Sequence, residues 1–98
     1  MNKCILTAEA ERDLIDIYLE GLERYGLRQA EAYQDLLATK LGTLTDNPSF
    51  GSDYGNIRPS LRRSESVAHS IYYRTSQDGI LVLRILYKSM DPGRHLKP

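Results

Sequence analysis

The sequence predicts a single α+β domain in which two helices cover one face of a small sheet. Three observations predict it. Through the first half of the chain, apolar side chains recur every three or four positions, the spacing of one helix face. From Leu61 onward they alternate or run continuously, as strands do. The joints between these segments collect Gly, Pro, Asn and Asp. A chain of 98 residues has the length of one domain, and at this size it buries roughly 60–65% of its unfolded surface. The hydrophobic fraction of 41% and charged fraction of 27% are ordinary for a globular protein, so residues 1–98 read as one unit.

Lys3 to Leu6 reads as a short opening strand. Thr7 is a good helix N-cap, and Glu9 and Glu11 put negative charge in the first turn, where the helix dipole favours it. Ala10, Leu14, Ile17, Tyr18, Leu22 and Tyr25 then share one face, with Glu11, Asp13, Asp16, Glu20 and Glu23 on the other. This is an amphipathic helix of about 17 residues, ~26 Å long, and Gly26 ends it. A second helix begins near Arg28. Ala30, Tyr33, Leu37, Leu41 and Leu44 form its stripe, Leu36 and Lys40 lie at the margins, and Asn47-Pro48 stops it. The short link Tyr25-Gly26-Leu27 makes the helices antiparallel neighbours.

Residues 47–60 are loop-forming, with Asn47, Pro48, Gly51, Gly55, Asn56 and Pro59, and a connection this long is often functional. Leu61-Arg62-Arg63 opens a strand. Val67 to Arg74 alternates, with Val67, His69, Ile71 and Tyr73 on one face. Asp78-Gly79 closes a hairpin loop onto Ile80 to Tyr87, the most apolar strand. Residues 88–98 form a polar, basic tail. The element order is β-α-α-β-β(-β).

Strict alternation in Ile80 to Tyr87 puts Leu81, Leu83, Ile85 and Tyr87 on one face and Ile80, Val82, Arg84 and Leu86 on the other. Both faces are mostly apolar, so this strand expects cover on two sides. Two helices cover one face. The other is expected to be exposed and to bind a partner, since burying a few hundred Å² contributes several kcal/mol at about 25 cal/mol per Å². Arg84 interrupts the strand and must be paired or face a groove.

The formal net charge of zero conceals a split. Residues 1–50 carry five basic against nine acidic side chains, a balance of −4, and residues 51–98 carry eight against four, a balance of +4. Arg62, Arg63, Arg74, Arg84, Lys88 and Arg94 form a basic set suited to an anionic partner, either an acidic protein segment or nucleic acid. No motif for direct nucleic-acid readout accompanies them.

Several classes are excluded. The single cysteine, Cys4, permits no internal disulfide and no cysteine-cluster zinc site, and it reads as a small buried hydrophobe. The N-terminus lacks a secretory apolar stretch, and the strongly apolar run from Ile80 to Leu83 is too short to span a membrane, so a cytoplasmic location is expected. A nucleophile elbow, a phosphate-binding glycine loop and a histidine metal pair are absent from the sequence, so neither a metal nor a cofactor is expected. His69, His95 and Tyr87 are the available acid–base groups, and His69, between Val67 and Ile71, reads as a core or sheet-edge histidine. Metal-free RNA cleavage needs a base, an acid and a cation at one phosphate, which Arg84, Tyr87 and Lys88 could approximate.

The whole chain resembles the ParE branch of the RelE/ParE toxin superfamily, with the pieces in register. Thr7-Ala8-Glu9-Ala10-Glu11-Arg12-Asp13-Leu14 is similar to the family's first helix start, and Tyr25-Gly26 followed by Gln29-Ala30-Glu31-Ala32-Tyr33 to its turn into the second helix. Asn47-Pro48 with Gly51, Ile57-Arg58-Pro59-Ser60-Leu61-Arg62 and His69-Ser70-Ile71-Tyr72-Tyr73-Arg74 match three further motifs, with Ser60 replacing the usual glycine. The closing motif is matched by Arg84-Ile85-Leu86-Tyr87-Lys88-Ser89-Met90-Asp91 with Arg94-His95-Leu96. Here Tyr87 stands where histidine is frequent and Ser89 where arginine is common.

The resemblance implies a helical hairpin on a small curved antiparallel sheet, and the toxin of a type II toxin–antitoxin pair of the kind linked to plasmid maintenance. It implies a ParD-type antitoxin that lays its C-terminal segment along the toxin in a hetero-oligomer, and DNA gyrase as the target. Arg84, Lys88, Met90, Asp91, Arg94 and His95 would form or position the target-binding end. Arg62, Arg63, Arg74, Arg84, Val82 and Leu86 would receive the antitoxin. A toxin of this branch acts by binding and not by its own chemistry. RelE-type relatives instead cut mRNA on the ribosome, a reading that would use Arg84 and Tyr87. A non-toxic module that only binds antitoxin is the third reading.

Overall fold

A computed structural model describes residues 2–96. Lys97 and Pro98, the last two residues of the expected tail, lie outside the described residues. Strand β1 (Lys3–Leu6) leads into helix α1 (Ala8–Tyr25), and helix α2 (Leu27–Asp46) follows after a single residue. Thr7 caps α1 as its sequence position predicts, its Oγ1 accepting from the Ala10 N–H at 3.1 Å. Gly26 makes the turn between the helices at φ 89°, a left-handed conformation that glycine adopts without a Cβ clash. At the crossing, a Cβ on Gly21 would stand 3.4 Å from that of Ala30, so the helices approach closely there.

The segment read as a loop contains more order than its composition predicts. A 3₁₀ turn (Pro48–Phe50) runs into a two-residue strand β2 (Ser52–Asp53). Tyr73 fixes this turn: its hydroxyl donates to the Pro48 carbonyl at 2.7 Å and accepts from the Gly51 N–H at 2.9 Å. A Cβ on Gly51 would collide with the Tyr73 ring, so only glycine fits. Strands β3 (Arg62–Glu65), β4 (His69–Ser76) and β5 (Gly79–Tyr87) follow, and a one-turn helix α3 (Pro92–His95) closes the described chain.

The five strands form one sheet in the order β1-β5-β4-β3-β2. The sheet is mixed: β2 to β5 pair antiparallel, while β1 lies parallel to β5 with Lys3 opposite Gly79 and Leu6 opposite Val82. The helical pair packs on one face. Its core joins Ala10, Leu37, Leu41 and Leu44 to Ile71, Tyr73, Ile80, Val82 and Ile85.

The strict alternation expected for β5 fails at one place. The β4–β5 register steps from Tyr72 opposite Arg84 to Tyr73 opposite Val82, leaving Leu83 as an extra residue, a β-bulge. The bulge transfers Ile85 to the helix face beside Ile80 and Val82, and assigns Leu83 and Leu86 to the far face. That far face is also covered, contrary to expectation. Leu61, Tyr72, Leu83, Leu86 and Leu96 form a second core, with Tyr54 and Ile57 of the 47–60 segment packed against it. The chain supplies its own second layer from a long connection and a C-terminal residue. No helix among the described residues is long and apolar enough to cross a membrane.

Candidate functional site

Two regions hold the residues singled out for target binding and for RNA cleavage: the seam between α1 and β5, and the C-terminal segment after β5. In the seam, β1 ends opposite Val82, so the rest of β5 has no strand beside it on that edge. Helix α1 satisfies the open backbone. The Thr7 hydroxyl donates to the Leu83 carbonyl at 2.9 Å, and Asp13 Oδ2 accepts the Ile85 N–H at 2.9 Å. Asp13 also accepts from Arg84 Nε at 2.8 Å and Arg84 Nη2 at 3.0 Å, a two-point pair, with Glu9 at 3.7 Å from Arg84 Nη1. Its hydrogen bonds to Asp13 hold the Arg84 guanidinium above its ordinary pKa despite its burial.

Two helical turns further along α1, Glu20 accepts from the Tyr87 hydroxyl and pairs with Arg24 at 3.3 Å. That hydrogen bond, followed by burial, pushes the Tyr87 phenol up. The Tyr87 ring lies 4.5 Å, centroid to centroid, from the buried His69 ring. On the other side of His69, Nδ1 meets the Tyr33 hydroxyl of α2 at 2.8 Å. Burial pushes the His69 imidazole down, against the opposing pull of Glu20 and Asp13. Asp13 and Glu20 thus face the sheet and not solvent, as their polar character predicted, because each satisfies a polar group of β5. The sequence offered no signal for these pairings, which join residues more than sixty positions apart.

The structure divides the expected target-binding set. Arg84 is withdrawn into the seam, its side chain 19% exposed and paired with Asp13. Lys88, Met90, Asp91, Arg94 and His95 are exposed in the segment after β5. Asp91 caps α3, its Oδ1 accepting from the Gly93 N–H at 2.9 Å, and so sets the turn that carries Arg94 and His95. Lys88 stands 3.5 Å from Glu65. The Arg84–Tyr87 pair considered for RNA cleavage is also divided, Arg84 to Asp13 and Tyr87 to Glu20.

The surface expected for the antitoxin needs correction. Val82 is fully buried beneath the helices and Leu86 is 2% exposed in the second core, because the bulge and the self-covering far face remove both from the surface. Arg62 donates to the Gly51 carbonyl at 2.7 Å. Arg63 donates to Ser70 Oγ at 3.1 Å and to the Tyr54 hydroxyl, and pairs with Glu65 at 3.0 Å. Both arginines therefore brace the β2–β3 edge and its connection, while Arg74 is exposed on β4.

This architecture, a helical hairpin on one face of a sheet with a short capped helix after the last strand, is that of a ParE-like fold. The model of the family described as "ParE toxin of type II toxin-antitoxin system, parDE" matches residues 4–92, and the chain belongs to that family. It is 31% identical to Toxin ParE1 of Caulobacter vibrioides over 93% of this chain and 94% of that protein. It is 30% identical to Toxin ParE1 of Mycobacterium tuberculosis over 97% of this chain and 98% of that protein. Among solved structures it superposes on a chain of the "Chromosomal ParDE TA system from P. aeruginosa" with a TM-score of 0.74 at 22% identity. That match covers 89% of this chain and 96% of the other, and shows the shared fold.

Proposed function

We propose that this chain is a growth-inhibiting toxin that poisons DNA gyrase by binding, and that a ParD-type antitoxin neutralises it in the cytoplasm. Family membership supports the toxin class. The observation that carries the target reading is the segment after β5. It presents Lys88, Met90, Arg94 and His95 outward on a turn held by the Asp91 cap, while its own Leu96 is buried in the second core. An exposed surface on an anchored turn is suited to docking on a large partner, since little ordering entropy remains to be lost on binding. The mRNA-cleaving alternative draws less support, because Arg84 and Tyr87 are each engaged by a carboxylate of α1.

A supercoiling assay with purified gyrase tests the reading. The chain alone should block supercoiling and trap cleaved DNA, and pre-mixing with antitoxin should restore activity. Growth arrest in cells with normal supercoiling in vitro would overturn it. Loss of translated mRNA that Tyr87→Phe abolishes would establish the cleavage reading instead.

A further inference from the structure

Helix α1 is apolar on two sides. Its inner side is buried at Ala10 and packs on the sheet through Leu14 and Ile17. Its outer side carries a second stripe, Ala8, Arg12, Ile15, Leu19 and Leu22, spaced by four, three, four and three positions. That spacing keeps successive side chains along one line of a helix, and it is the seam by which one helix packs lengthwise on another. Ile15 is 59% exposed and Leu19 is 55% exposed, one turn apart in the middle of the helix. None of the five residues belongs to either core, and none lines the groove between the hairpin and the sheet. One exposed aliphatic side chain is ordinary, but two stacked on a helix seam form a docking patch.

The charges beside the stripe select its occupant. Glu9 and Asp13 engage Arg84, and Glu20 engages Tyr87. Glu11, Asp16 and Glu23 remain exposed around the stripe, with Arg12 as the base among them. Such a rim repels an acidic partner segment. Arg12 and Glu23 are eleven residues apart, close to three full turns, so they stand on the same edge of the stripe near its two ends.

A second copy of α1 meets this pattern in one orientation. When two copies run antiparallel about a twofold axis level with Ile17, like edges of the stripe meet. Ile15 then stands at the level of Leu19 of the second copy. Arg12 stands at the level of Leu22 and Glu23 of the second copy, and the symmetry repeats each pairing. Two aliphatic layers therefore form at the centre, closed by an ion pair at either end. A parallel pair would set Arg12 against Arg12 and Glu23 against Glu23, so charge excludes that arrangement. Asp16 is the one mismatch, because it lies on the charged edge near the axis and approaches its own copy there.

We propose that the outer face of α1 is a self-association surface, through which two copies of this chain pair antiparallel with Ile15 and Leu19 at the centre and Arg12 meeting Glu23 of the second copy. One helix from each copy makes a small interface, so the dimer forms reversibly with rising concentration. The proposal goes beyond the toxin reading and does not rest on it.

Sedimentation velocity of the purified full chain, from low-micromolar to millimolar concentration, tests it. The parent should shift from monomer to dimer. Leu19→Glu changes an exposed side chain, so the thermal transition should stay as in the parent while self-association weakens at least about tenfold. Arg12→Glu turns both end pairs repulsive and should weaken it about tenfold, and adding Glu23→Arg should restore it to within about threefold of the parent. Asp16→Asn should tighten it. A parent chain that stays monomeric throughout the range overturns the proposal. So does self-association that Leu19→Glu leaves unchanged, which assigns it to another face, and so does a reversed pair that fails to recover what Arg12→Glu loses. Weaker association in Asp16→Asn also overturns it, since that face would then be reading a basic partner group. None of these measurements involves gyrase or antitoxin, so their failure leaves the toxin reading untouched.

Discussion

Asp13 receives three hydrogen bonds on two oxygens, two from Arg84 and one from the Ile85 backbone, and so joins helix to strand where β1 no longer covers the sheet edge. Removing one member of such a buried set leaves the other charge and a backbone N–H without partners. A fully buried pair broken this way costs about 3–5 kcal/mol. The two side chains here retain 19% and 13% exposure, so Asp13→Ala should lower unfolding free energy by about 2–3 kcal/mol, read as a shifted urea midpoint at constant slope. Arg84→Met in the Asp13→Leu background should recover part of the loss. His69 supplies a second residue-scale prediction. Its folded pKa lies below the unfolded one, so the unfolded chain binds the proton first as pH falls. The stability from keeping the imidazole neutral is fully present above about pH 6.5 and is lost as pH falls through the folded value. Unfolding free energies at pH 7.5 and 5.5 should therefore diverge more in the parent chain than in His69→Gln. An equal divergence would place the pH sensitivity elsewhere.

At the scale of elements, the connection between β2 and β3 carries a visible strain. Ser60 sits at φ 66°, the left-handed region, where the family motif usually has glycine. A non-glycine residue there costs roughly 1–2 kcal/mol, partly offset because glycine adds about 0.4–1 kcal/mol of unfolded-state entropy. Ser60→Gly should thus stabilise the chain by about 0.5–1 kcal/mol, measured as a higher denaturation midpoint, and a lower midpoint would show that the serine side chain compensates. The helices were legible in the sequence because Ala10, Leu37, Leu41 and Leu44 repeat at a spacing that only a helix turns to one side, and Thr7, Gly26 and Asn47 mark the ends. Strand β5 was legible as an element but not as two faces, since a single extra residue at Leu83 reverses the alternation and no local composition announces it. The parallel pairing of β1, the cover supplied by Ile57 and Leu96, and the partners of Asp13 and Glu20 are contacts across the length of the chain, which periodicity cannot encode. The groove of about 440 Å³ that His69 and Tyr87 line escaped for the same reason, because its lining comes from α1, α2, β4, β5 and the β3–β4 connection.

Across the whole molecule, the charge split read from the sequence is partly consumed inside the fold. The acidic helix α1 gives Glu9, Asp13 and Glu20 to β5, so the most basic-looking strand residue, Arg84, is internally neutralised. Exposed positive charge stays at Arg74 on β4 and in the segment after β5, whose position depends on Leu96, 3% exposed against Leu61, Tyr72, Leu83 and Leu86. This second core lies on the face of the sheet away from the helices, whereas the His69 groove opens between the hairpin and the sheet. Loosening the anchor therefore tests the target-binding role proposed for the segment after β5. A buried Leu→Ala exchange costs about 2–5 kcal/mol, and one near a chain end, where the site can collapse, belongs at about 2 kcal/mol. Leu96→Ala should stay folded and inhibit supercoiling at least tenfold less well than the parent, because Arg94 and His95 are no longer held on their turn. If gyrase inhibition survives Leu96→Ala in a folded chain, the target-binding role proposed for this segment is wrong.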